Sequence, residues 1–116
     1  AHNVTYGITF YQDHAAFGDL YNAYEDAYDA LIERCIGLGG KPDFKEITES
    51  ACTMFCAACG NSEPKAMFQK LYATEYEIRK CLDEAIPDAS EGTKNFLQGL
   101  ADESEQRCYK LKQRLK

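Results

Sequence analysis

Residues 17–35 read FGDLYNAYEDAYDALIERC. Their apolar side chains fall at Phe17, Leu20, Tyr21, Tyr24, Tyr28, Leu31, Ile32 and Cys35, steps mostly of three and four that place one stripe along an α-helix. Asp13 is a good N-cap residue, so the spacing predicts a helix from about Asp13 to Ile36. Gly37, Gly39, Gly40 and Pro42 supply the stop.

The same pattern recurs outward from this stretch. Asp43 and Glu46 have capping-box spacing, and Phe44, Ile47, Met54, Phe55 and Ala58 give a second helix its apolar side, with Gly60 at its end. A third helix opens at Asn61, Ser62 and Pro64, follows Met67, Phe68, Leu71, Ile78, Cys81, Leu82 and Ala85, and stops at Pro87. The fourth begins around Asp88 to Ser90 and carries Phe96, Leu97, Leu100, Ser104, Cys108, Leu111 and Leu115, close to a heptad seam. Residues 1–12 read as a short irregular N-terminal arm in which Tyr6, Ile8 and Phe10 alternate with polar residues. The expected fold is all-α, a single domain over 1–116 with a four-helix, disulfide-stapled bundle from residue 13 onward.

Six cysteines at 35, 52, 56, 59, 81 and 108 suggest how that bundle is held. An even count in a short chain reads as a disulfide framework of an exported domain. Zinc ligands usually come as two close pairs, whereas here three cysteines are scattered singly and the two histidines, His2 and His14, lie near the start. No metal site is therefore expected. Cys52, Cys56 and Cys59 sit at i, i+4 and i+7 on one helical face, poorly placed to bridge each other, so each should reach a different helix. Helix lengths favour Cys59 with Cys108. Cys35 and Cys81 then share Cys52 and Cys56 in an order left open.

A net charge of −6 argues against nucleic acid, and no apolar run approaches the ~18 residues that span a bilayer. Ala1 reads as the start of a mature chain after leader removal, and Asn3-Val4-Thr5 is a glycosylation sequon with Asn3 as acceptor. Catalysis has little support, and neither enzymatic activity nor a cofactor is expected. Asp13 beside His14 reads as a helix cap next to an exposed imidazole. Asp19, Glu25, Asp26, Asp29 and Glu33 match no EF-hand loop and read as a solvated acidic face. Tyr21, Tyr24 and Tyr28 read as core packing with hydroxyls at the rim. The basic end, with Arg107, Tyr109, Lys110, Lys112 and Arg114, is the candidate partner-binding surface, set against the bland reading of cations at a helix C-terminus.

The start Ala-His-Asn-Val-Thr-Tyr, the cluster Cys52, Cys56, Cys59 and the Lys/Arg-rich end together resemble anopheline mosquito salivary proteins of the albicin type. That resemblance implies a secreted, monomeric inhibitor of the host alternative complement pathway. It would bind the C3 convertase (C3b with Bb, properdin-stabilised) stoichiometrically and hold it inactive. Inhibition of contact activation, the kallikrein–kinin system, is a related alternative. A carrier of small hydrophobic ligands of the insect odorant-binding kind is another, although its closely spaced late cysteine pair has no counterpart in Cys81 and Cys108.

Overall fold

The computed structural model describes residues 9–58 and 63–116, with side chains 54–58 left outside the description. It is all-α: α1 spans Phe10–Gly37, α2 Phe44–Ala58, α3 Pro64–Ala85 and α4 Glu91–Leu115, with a 3-10 turn at Ile86–Asp88. The described residues contain no strand. They fall into two compact units, Ala1–Pro64 and Lys65–Lys116.

In the first unit, α1 starts three residues earlier than expected. Thr9 is the N-cap, its hydroxyl donating to Asp13 Oδ2 at 2.6 Å while its carbonyl accepts from the Asp13 amide at 2.9 Å. Asp13 is thus a buried first-turn carboxylate and not a cap, a position that the helix dipole favours. Residues 10–12 belong to the helix, and the imidazole of His14 stacks on Phe10 with ring centroids 5.0 Å apart. The rest of the expected arm lies outside the described residues.

The stop at the other end is as the glycines dictate. Leu38, Gly39 and Gly40 donate back to the carbonyls of Arg34, Ile36 and Cys35. Gly39 has φ +88°, a left-handed conformation that a side chain disfavours. A Cβ on Gly40 would lie 2.5 Å from Cys35 Sγ, so the turn needs glycine there too. Asp43 then caps α2, its Oδ1 accepting from the Glu46 amide at 3.0 Å. Phe17 is the buried apolar residue of α1, whereas Tyr21 and Tyr28 are 63% and 44% exposed. Those two tyrosines are therefore surface residues and not core.

The second unit is the α3–α4 hairpin. Its buried residues repeat every seven positions: Phe68, Glu75 and Leu82 on α3, Leu97, Ser104 and Leu111 on α4, with Cys108 beside them. A seven-residue spacing keeps one face of each helix turned to the seam, so each apolar layer meets another. The middle layer is polar. Arg114 closes one end, its guanidinium 5.0 Å from the Phe68 ring centroid in a cation–π arrangement. Ser90 caps α4 by backbone geometry, its carbonyl accepting from Lys94 at 2.7 Å.

Candidate functional site

The polar layer of the hairpin is its most constrained chemistry. Glu75 is fully buried, which would strand its charge without partners. Ser104 Oγ donates to Oε2 at 2.6 Å, and Arg107 Nε donates to Oε1 at 2.5 Å, with its Nη2 at 3.4 Å from Oε2. The Arg107 side chain is itself only 13% exposed. Burial pushes the Cys108 thiol above its ordinary range, an effect partly opposed by the guanidinium of Arg79. This layer ties α3 to α4.

Beside that layer runs an open groove of about 430 Å³, lined by Tyr76, Arg79, Lys80, Asp83, Ala101 and Glu105, with Glu84 at its edge. Arg79 Nε is buried there without an acceptor. Neither Arg79 nor Lys80 makes an ion pair within 4.0 Å among the described residues, and the same holds for Asp83, Glu84 and Glu105.

The residues named from sequence as a partner surface separate in the structure. Arg107 is committed to Glu75 and Arg114 to Phe68, which turns both inward. Tyr109, Lys110 and Lys112 stay exposed on α4. Cys35, Cys52 and Cys81 are exposed and Cys108 is buried, with no bridge among these four. The side chain of Cys56, all of Cys59 and the candidate acceptor Asn3 lie outside the described residues. The bridges Cys59–Cys108 and Cys35 or Cys81 with Cys52 or Cys56 thus stand as a proposal.

Asp29 and Glu33 of the acidic face lie on the same helix as His14, the histidine among the described residues. His14 is half-buried, while Asp29 and Glu33, one turn apart, are exposed. At ~100° per residue Asp29 lies about 60° around the helix from His14 and Glu33 about 100°. An imidazole and two carboxylates therefore share one side of a helix, but Asp29 stands about 22 Å from His14 along the axis at ~1.5 Å per residue. Among the described residues no group of three or more His, Cys, Asp or Glu side chains is close enough to hold a metal ion. No helix among them is long and apolar enough to cross a membrane.

Comparison with known proteins gives one match. A family model described as a ferritin-like domain covers residues 1–116. No curated protein and no solved structure matches the chain.

Proposed function

This chain belongs to the ferritin-like domain family, and from that premise we propose that it holds iron or a similar divalent ion between two copies of itself, at the α1 face. The family includes non-enzymes as well as some enzymes, and the proposal is one of binding. A metal centre inside a single bundle does not fit the residues. Di-iron members of this fold draw on a Glu from each of two helices and a Glu-x-x-His pair from each of the others. The two histidines here are His2 and His14, and neither follows a glutamate by three positions. Glu75, the buried carboxylate of α3, already has Ser104 and Arg107 as donors.

The observation that carries the proposal is the spacing of one histidine and two carboxylates along α1. His14 is separated from Asp29 and Glu33 by fifteen and nineteen residues, so one chain cannot bring them together. Two α1 helices running antiparallel and crossing near residues 22 and 23 would set His14 of one beside Asp29 and Glu33 of the other, twice over by symmetry. Imidazole with carboxylates suits iron. The exposed rings of Tyr21 and Tyr28 offer contact area near that crossing, as tyrosine does at protein interfaces. Anaerobic titration with Co(II), a visible-absorbing stand-in for Fe(II), tests this. Uptake should be lost in His14→Ala and in Asp29→Asn/Glu33→Gln, and uptake that survives both overturns the proposal.

The exposed end of α4 favours a second reading. Tyr109, Lys110 and Lys112 present an aromatic ring and two cations outward, the kind of rim that steers an acidic protein partner. This is the secreted inhibitor of the complement convertase implied by the salivary resemblance. Unchanged lysis of rabbit erythrocytes through the alternative pathway at micromolar protein would remove it.

A further inference from the structure

We infer that the α3 groove face is a second self-association surface, formed by two copies related by a two-fold axis between residues 81 and 82. Five charges around the groove make no ion pair among the described residues. Arg79 and Lys80 are followed one turn later by Asp83 and Glu84, and all four flank the groove together with Glu105. Base-before-acid is the weaker i, i+4 order within a helix, which accords with the four side chains making no ion pair among the described residues. The buried Nε of Arg79 makes this more than a solvated charge run, since a desolvated donor without an acceptor is costly.

A second copy of α3 laid antiparallel answers those charges. In that arrangement position 79 comes within one residue of level with position 83 of the other copy and position 80 within one of 84, with both pairs on matching sides of the seam. Four ion pairs result, because each pair occurs twice. A parallel copy would set like charges against like. Tyr76, 60% exposed, adds apolar area where the groove opens. The patch thus complements itself, whereas an anion alone would face three unpaired carboxylates and a cation alone two bases.

Charge reversal followed by mixing tests the inference. At low ionic strength, sedimentation velocity should show association of the wild-type chain that weakens at least about tenfold in R79E/K80E and in D83K/E84K. An equimolar mixture of the two variants should associate again as a one-to-one heteromer. If a pair including Arg79 or Asp83 fails to fold, Lys80→Glu with Glu84→Lys, both at exposed positions, carries the same test. Variants that associate as tightly as the wild type, or a mixture that does not recover, would overturn the inference. So would a wild-type chain with no salt-sensitive association, or a groove that binds an unrelated helix in place of its own copy. Neither variant touches His14, Asp29 or Glu33, so ion uptake and this association fail independently.

Discussion

Replacing Arg107 with alanine removes the cation that donates to Oε1 of Glu75, a carboxylate that is fully buried. Ser104 would remain as a neutral donor to Glu75, whose buried charge would lose its guanidinium partner across the seam. Breaking a buried pair from one side costs about 3–5 kcal/mol, because the surviving ion keeps its desolvation penalty. Glu75→Gln should cost less, about 1.5–3 kcal/mol, since the amide still accepts from Ser104 and the part-exposed guanidinium can turn to water. Replacing the whole layer, with Glu75→Leu, Arg107→Leu and Ser104→Ala together, should come within about 1 kcal/mol of the wild type or exceed it. Urea unfolding followed by far-ultraviolet circular dichroism reads all three, and for a chain of this size each kcal/mol shifts the melting midpoint by about 4 °C. Arg107→Ala should therefore melt about 12–20 °C lower. A loss under about 1 kcal/mol, or effects of Glu75 and Arg107 that simply add, would refute the view that they form one coupled unit.

Other changes should separate the remaining contacts. Phe68→Ala should cost about 3–5 kcal/mol, because it empties a buried layer, whereas Arg114→Ala, which loses the contact above that ring, should cost about 0.5–1 kcal/mol; denaturation midpoints distinguish them. Gly39→Ala should destabilise by about 1 kcal/mol, and Gly37→Ala, which meets open space within the helix, should be neutral or mildly stabilising. In the reduced chain, the raised thiol of Cys108 stabilises the fold fully below its unfolded pKa, and that contribution is lost as pH rises through the folded value. Unfolding midpoints should thus fall more steeply on the alkaline side for the wild type than for Cys108→Ala, and parallel profiles would contradict the assignment.

Much of the fold is legible in local signals. The glycines after α1, Asp43 before α2, Pro64 and Pro87 around α3 and Ser90 before α4 each act on their own neighbours, so their effects can be read without tertiary knowledge. The start of α1 was less legible, because Asp13 looks like a cap until Thr9 is seen to donate to it. Glu75 was hidden for another reason: an apolar-stripe reading passes over a glutamate. The available signal was the shared period of seven, Phe68-Glu75-Leu82 against Leu97-Ser104-Leu111, which sets a carboxylate opposite a hydroxyl. Arg107 counted as one of a run of C-terminal cations for the same reason, since sequence order does not show which of them turns inward. The α1 donors were the hardest to recognise. Their proposed partners belong to another copy of the chain, so spacing within one copy resembles an ordinary acidic face.

Complementation between variants asks whether the ion lies between chains. His14→Ala chains and Asp29→Asn/Glu33→Gln chains are refolded separately and as an equimolar mixture, and bound Co(II) is measured in each. The account predicts no uptake by either variant alone and about a quarter of the wild-type uptake in the mixture, since half the pairs are mixed and each of those rebuilds one of two sites. No recovery in mixtures shown by native mass spectrometry to contain mixed pairs, or uptake by a chain that stays monomeric, would contradict it.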